Sequence, residues 1–185
     1  MSLNKIIKSQ KSVKNFSSEK PDWRAIIEAI DSARYAPMAG GNYTPKFILV
    51  DDTEKIQKLA TAAQEDFVAT AHYVVVVCSN PSRVINLYGK RGEIYSRQQA
   101  GAAIQNFLLK IEDLNLSTHW IRHFVDSQIR KILNIPLNIN VEAILPIGYE
   151  YKKSRTIKSK INLDQILYFN KYKNKKMKKP RIVKQ

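Results

Sequence analysis

The sequence predicts a single α+β domain. Helical and strand-like segments alternate along the 185 residues, the strand-like segments are few, and neither an internal repeat nor a linker divides the chain. The composition, 44% hydrophobic and 25% charged, is typical of a globular protein and lacks the glycine or cysteine excess of fibrous and disulfide-rich classes. We therefore expect one folded domain over residues 1–170.

The first part of this domain alternates helix and strand. Apolar residues at helical spacing predict a helix over 22–34, with Asp22 as its N-cap. Two prolines and paired glycines then predict a loop over 36–45, and a short strand follows at 47–50. A second helix begins at Asp52 and Thr53 and carries its apolar residues on one face.

The second part is built around the most apolar segments of the chain. The continuous β-branched run 73–78 is typical of a strand buried on both faces. The stretch 95–114 predicts a long helix with a broad apolar surface, packed on more than one side and in part by a second subunit. The remaining predicted elements are an extended piece at 118–121, a capped helix at 126–133, a core strand at 141–147, and a last helix or edge segment at 163–169.

The positive charge is unevenly distributed. The chain has 31 Lys and Arg against 16 Asp and Glu, a net charge of +15, yet eight basic residues and no acidic one lie in 171–185. Like charges at this density resist packing, so we expect a flexible, solvated tail. Contact of the tail with nucleic acid or another polyanion is an open alternative.

Three features predict a cytoplasmic protein. Cys78 has no cysteine partner, no apolar run reaches the roughly 20 residues that cross a bilayer, and residues 1–16 lack the apolar core of a signal peptide. No membrane span is expected.

The usual catalytic signatures are missing. There is no phosphate-binding glycine loop, nucleophile elbow or zinc spacing. His119, His123 and Asp126 could be drawn as a metal site, but such spacing is common by chance and no metal is predicted. Cys78 closes a buried strand and is expected to be an inert core thiol. Chemistry without side-chain acids and bases then requires a bound cofactor.

Four sets of residues, taken in order, resemble the motifs of the FMN-dependent nitroreductase family. They cover residues 11–16 (KSVKNF), 36–45 (APMAGGNYTP), 101–109 with 114–121 (GAAIQNFLL and LNLSTHWI), and 147–149 with 158–160 (IGY and KSK). The resemblance implies the family's α+β sandwich, with a central mixed or antiparallel sheet flanked by helices. It also implies an intertwined homodimer with FMN sites at the subunit interface.

The resemblance also implies roles for individual residues. A phosphate monoester needs cationic donors, and Lys14 matches the residue that approaches the flavin pyrimidine. Asn42 would bind the flavin or its ribityl chain, beside an apolar wall, and Gln64 would meet the pyrimidine edge. The implied phosphate ligands are Lys11, Ser12, Lys158 and Lys160, and the implied wall is Pro37, Met38 and Ala39.

The sequence departs from the family pattern where a small glycine commonly approaches flavin N5. Arg122 and His123 stand there instead and are candidate substrate-side residues. The implied activity is ping-pong hydride transfer from NADH or NADPH through flavin N5 to an electron-poor acceptor, of the nitroaromatic or quinone type. Two alternatives stay open. One is a divergent member that uses reduced flavin for dehalogenation or flavin breakdown, and the other is a polyanion-binding protein that acts through its tail.

Overall fold

The computed structural model describes residues 2–152 and 161–177, and the chain forms two compact units, residues 1–154 and 155–185. The first unit carries the sheet and most helices. Its elements are α1 (Leu3–Ser9), α2 (Trp23–Ala33), β1 (Pro45–Val50), α3 (Thr53–Ala63), a 3₁₀ helix (Asp66–Thr70), β2 (Tyr73–Ser79), α4 (Ser82–Tyr88), α5 (Arg91–Asp113), β3 (Ser117–Thr118), α6 (Asp126–Leu133) and β4 (Asn140–Gly148).

The second unit, as far as it is described, has the short helix α7 (Leu163–Ile166). After this helix in the chain, the Tyr168 and Tyr172 rings pack edge to face with centroids 4.9 Å apart. Asn174 donates a side-chain hydrogen bond to the carbonyl oxygen of Phe169, at 2.7 Å. The boundary that the sequence suggests between domain and tail, at residues 170 and 171, stays a prediction.

The four strands form one antiparallel sheet in the order β1-β2-β4-β3. Of the two sheet types that the sequence left open, the named strands adopt the antiparallel one. Strand β2 lies between β1 and β4, and all seven of its residues are buried. Helices cover both faces, which explains why this strand is continuously apolar rather than alternating.

Alternate residues of β2 enter two separate cores. Val75 and Val77 pack with α2 and α5, where Phe107 is fully buried. Val74 and Val76 pack on the opposite face with α3 and α6. The period of two that sends successive side chains to opposite faces thus produces a three-layer sandwich of helices, sheet and helices.

The helix predicted at 22–34 forms as α2, and the Asp22 carboxylate accepts a hydrogen bond from the Arg24 amide as predicted. The second helix likewise forms as α3 with Asp52 as N-cap. At α6 the bounds are correct but the cap is wrong. The N-cap is Val125, with no side-chain hydrogen bond, because Asp126 lies in the first turn and forms an ion pair with Arg130.

Cys78 is buried in β2. Burial raises the pKa of its thiol to about 11, which keeps the group protonated near neutral pH. Among the described residues, no three His, Cys, Asp or Glu side chains are grouped so that they could hold a metal ion. The described helices also include none with the length and apolar character needed to cross a membrane.

Candidate functional site

Residues 11–16 lie along the β3 edge of the sheet. The Val13 amide donates to the Thr118 carbonyl oxygen at 3.0 Å, and Ser12 forms an isolated parallel bridge with Thr118. Val13 and Phe16 are buried against Ala71 and anchor the segment. The side chains of Ser12 and Lys14, which alternate with these anchors, are exposed.

Lys14 reaches from this segment to the end of α3. Its Nζ donates to both carboxylate oxygens of Glu65, at 3.0 and 3.2 Å, and lies 5.0 Å from the centroid of the Phe67 ring. Gln64 precedes this pair as the C-cap of α3, in the left-handed conformation with φ of 54°. That conformation ends the helix. Gln64 directly precedes Glu65, the ion-pair partner of Lys14.

Lys11 has an acidic partner within the chain. Its Nζ lies 2.7 Å from a carboxylate oxygen of Glu150, and the side chains are only 22% and 11% exposed. Glu150 would therefore compete with a bound phosphate for the positive charge of Lys11. The other two predicted phosphate ligands, Lys158 and Lys160, lie outside the described residues.

Three consecutive residues beside this segment carry unsatisfied polar atoms. Thr118 Oγ1, His119 Nδ1 and Trp120 Nε1 are buried and have no hydrogen-bond partner within the described chain. An unsatisfied buried polar group costs about 1–3 kcal/mol. We define the β3-edge cluster as residues 11–14, 64–67 and 118–120.

The charge state of His119 follows from its surroundings. Its ring packs edge to face against Phe67, with centroids 5.2 Å apart. Burial lowers the His119 pKa, the nearby Lys14 charge lowers it further, and Glu65 opposes both. The imidazole is therefore neutral at physiological pH and offers one donor and one acceptor nitrogen.

Arg122 and His123 follow the cluster directly and are exposed. The Arg122 guanidinium lies 5.4 Å from the centroid of the Trp120 ring. This contact keeps a positive charge next to the unsatisfied segment.

The loop between α2 and β1 forms a second group. We define the loop cluster as Pro37, Met38, Ala39 and Asn42. Gln99 of α5 holds this loop in place, because its Nε2 donates to the carbonyl oxygens of Pro37 and Asn42, at 3.1 and 3.3 Å. Its Oε1 accepts from the amide and the hydroxyl of Thr44, each at 2.7 Å. A cavity of about 240 Å³ lies between the loop and α5, lined by Pro37, Met38, Ala39, Tyr95, Gln98, Gln99 and Ala102.

The structure places the two clusters at opposite edges of the sheet. Ser12 lies beside β3, whereas the loop cluster leads into β1, and β2 and β4 lie between them. Three strand spacings separate the edges by about 14 Å. One chain therefore does not unite all the predicted ligands, whereas two copies can do so if the β3 edge of one faces the loop of the other.

Several residues of the site were not singled out by the sequence. Glu65, Phe67 and Thr118 contribute through contacts distant in sequence, which no local pattern reveals. Gln99 had a local signal, because it lies four residues before the core residue Ala103 on the apolar face of α5, where a polar residue needs partners.

A model of the nitroreductase family matches residues 60–149. A protein of Archaeoglobus fulgidus named as an NADH dehydrogenase/NAD(P)H nitroreductase is 27% identical over 150 residues, covering 78% of this chain and 83% of that protein. An iodotyrosine deiodinase of Thermotoga neapolitana is 23% identical over 164 residues, covering 80% and 88%. The crystal structure of a nitroreductase family protein from Clostridium novyi matches with a TM-score of 0.76 and 27% identity, covering 94% and 96%.

Proposed function

We propose, because this chain belongs to the nitroreductase family, that it is an FMN-dependent oxidoreductase. Its electron donor is NADH or NADPH, and its acceptor is an electron-poor small molecule of the nitroaromatic or quinone type. The observation that carries the proposal is the β3-edge cluster, where a cation, a neutral histidine and three unsatisfied polar atoms lie together.

The donor set of this cluster fits a flavin. The isoalloxazine pyrimidine carries carbonyl oxygens and ring nitrogens, which match the donors and acceptors of Thr118, His119 and Trp120. The redox chemistry, hydride acceptance from a nicotinamide and transfer of two electrons to the acceptor, would be supplied by FMN once it is bound. The protein then needs no acid and base pair of its own.

Lys14 sets the electrostatics of the site. Its ammonium would lie beside the pyrimidine and stabilise negative charge there, which favours the reduced cofactor. Glu65 holds the ammonium in position and offsets part of its charge. Gln64 would hydrogen-bond the pyrimidine edge through its amide.

The phosphate would be held by Ser12 and by lysines. Lys11 lies next to Ser12 and supplies one charge, shared with Glu150. Lys158 and Lys160 are proposed as further ligands. Lysines act as point charges rather than as the bidentate fork of arginine, so they define the phosphate position less sharply.

A homodimer would bring the loop cluster to the flavin. The flavin ring bound by the partner subunit would pack against Pro37, Met38 and Ala39. Asn42 would bind the flavin or its ribityl chain. Helix α5 offers a surface for this assembly, because no atom within residues 2–152 and 161–177 lies near the place where a Cβ on Gly101 would stand, and Ile94 is 56% exposed.

The spectrum of the purified protein tests the proposal. After reconstitution with excess FMN and desalting, we expect flavin absorbance at one FMN per chain, and anaerobic NADPH or NADH should bleach it. Adding a quinone or a nitroaromatic compound should restore the colour. A protein that retains no FMN would overturn the assignment.

Reductive dehalogenation is the second candidate, favoured by the similarity to an iodotyrosine deiodinase. The same reduced flavin would supply two electrons, iodide would leave, and a proton would take its place on the ring. If dithionite bleaches the flavin but NADH and NADPH do not, and iodotyrosine then reoxidises it with release of iodide, this candidate replaces the first.

A further inference from the structure

Helices α3 and α6 pack side by side on one face of the sheet and leave a groove between them. The Val125 amide, at the start of α6, donates to the Ala62 carbonyl oxygen at 2.8 Å and fixes the spacing of the two helices. The groove is open to solvent, with five of its six lining residues exposed, and has a volume of about 530 Å³, within the size range of small-molecule sites. Its lining residues are Lys55, Lys58, Thr61, Gln128, Lys131 and Ile132.

Helical periodicity explains this lining. Positions 55, 58 and 61 form one stripe on α3, and positions 128, 131 and 132 form another on α6. The opposite face of α3 is buried, with Leu59 fully enclosed, and Ile129 is likewise enclosed on α6. The groove stripes are therefore the outward faces of two helices whose inward faces form the core.

The lining contains three ammonium groups and no carboxylate. Lys55 Nζ lies 3.8 Å from an Asp52 oxygen, and Lys58 Nζ lies 2.7 Å from a Glu54 oxygen, so both acids approach from outside the groove. Lys131 has no ion pair or hydrogen bond to another described side chain. The Lys131 ammonium is therefore the charge most available to an anion in the groove.

The base of the groove is less polar than its rim. Ile132 is half-buried there, and the aliphatic stems of the lysines can cover a flat apolar body. The Thr61 hydroxyl donates to the Gln57 carbonyl oxygen at 3.2 Å, which leaves its oxygen as an acceptor, and Gln128 offers both donors and an acceptor. A ligand with an anionic group and a flat, partly polar body matches this arrangement.

We propose that the groove between α3 and α6 binds a small organic anion, a phosphate or carboxylate carried on a flat apolar body. The site shares no lining residue with the β3-edge cluster. Its nearest residue, Thr61, lies three residues before Gln64 on α3, whereas Lys55 lies in the first turn, about 14 Å from Gln64 along the axis. The proposal does not depend on the flavin chemistry. The phosphate source is a nucleoside monophosphate, and the carboxylate source is an aromatic acid.

Amide chemical shifts of the ¹⁵N-labelled protein, recorded both with excess FMN and without it, test the site. Adenosine monophosphate and 2-naphthoate are titrated separately, and at least one should produce saturable shifts at Thr61, Gln128 and Ile132. The arm that saturates identifies the anion. Inorganic sulfate, added at matched ionic strength, should shift the same amides weakly and without saturation.

Charge removal makes the test specific. K131Q should weaken binding about tenfold, the effect of losing one charge-assisted hydrogen bond. Adding K58Q to K131Q should weaken binding further. The matched control is the double variant K5Q/K8Q on α1, whose lysines are exposed and outside the groove. The proposal fails if neither probe saturates at these amides, if shifts centre on Thr118 and His119, or if the control weakens binding as much as K131Q.

Discussion

Lys14 illustrates how one side chain can serve both folding and function. Its ammonium connects residues 11–16 to the end of α3 through Glu65 and lies over Phe67. The side chain is 54% exposed, so the ion pair itself adds little to stability. Its main effect should therefore appear on the cofactor rather than on the fold.

We expect Lys14→Met to weaken FMN binding about tenfold, since one charge-assisted contact is lost. The flavin midpoint potential should fall by about 30 mV or more, because about 1.4 kcal/mol of preference for the reduced form corresponds to that shift. Flavin fluorescence titration and anaerobic redox titration measure the two quantities. Lys5→Met on α1 is the control, and an unchanged potential in Lys14→Met would contradict the placement of the charge.

Thr118 tests whether the unsatisfied polar atoms await a ligand. Valine has the same shape without the hydroxyl, so Thr118→Val should leave the apoprotein equally stable or raise its free energy of unfolding by about 1 kcal/mol. The same change should weaken FMN binding about fivefold. Thr53→Val is the control, because Thr53 is exposed in the first turn of α3, at the opposite end of that helix from Gln64. Unaltered FMN affinity in Thr118→Val would remove this residue from the site.

The longer elements were predictable because their patterns are local. Helices α2, α3 and α5 repeat apolar residues over three or more turns, and β2 is a continuous apolar run. By contrast, α1 and α4, with seven residues each, escaped prediction. Helices that short depend on tertiary packing rather than on propensity. At Gly92 of α5, an added Cβ would lie 2.4 Å from the Val84 carbonyl oxygen, so α4 depends on a close approach that no spacing reveals.

The sequence selected candidate residues for the site but not their arrangement. The resemblance selected Lys14 and Gln64, which do lie at one end of α3. It could not show that Lys11 has Glu150 as an acidic partner, nor that His119 is neutral in a buried setting. These properties arise from contacts between distant segments, and their energies depend on burial.

The loop of residues 37–44 owes its conformation to one buried side chain on α5. Gln99 satisfies two carbonyl oxygens and two donors of this loop and is 4% exposed. Gln99→Leu should lower the free energy of unfolding by about 3 kcal/mol, since it orphans buried polar groups. Chemical denaturation measures the loss. Gln105→Leu, at an exposed position of the same helix outside the loop cavity, should change stability by less than about 0.5 kcal/mol.

At the scale of the whole molecule, the separation of the two clusters makes assembly the deciding question. The β3-edge cluster and the loop cluster occupy opposite edges of one sheet. A single chain can bind a cofactor on one edge only, whereas a pair of chains can complete two sites. Helix α5 has two adjacent small, half-exposed residues, Gly101 and Ala102, which leave room for a second helix to approach closely.

Gly101→Leu separates folding from assembly. No atom of the described residues lies within 4 Å of the position that its Cβ would occupy, and leucine favours a helix over glycine by up to about 1 kcal/mol. The single chain should therefore fold at least as stably. If α5 packs against a partner, however, the larger side chain should shift the mass from twice 21.3 kDa towards 21.3 kDa and reduce bound FMN. Analytical ultracentrifugation and flavin absorbance measure both effects. Gln57→Leu, which adds the same side chain to an exposed position on α3, should change neither. A Gly101→Leu protein that keeps both its mass and its flavin would place the partner contact elsewhere than at Gly101 and Ala102.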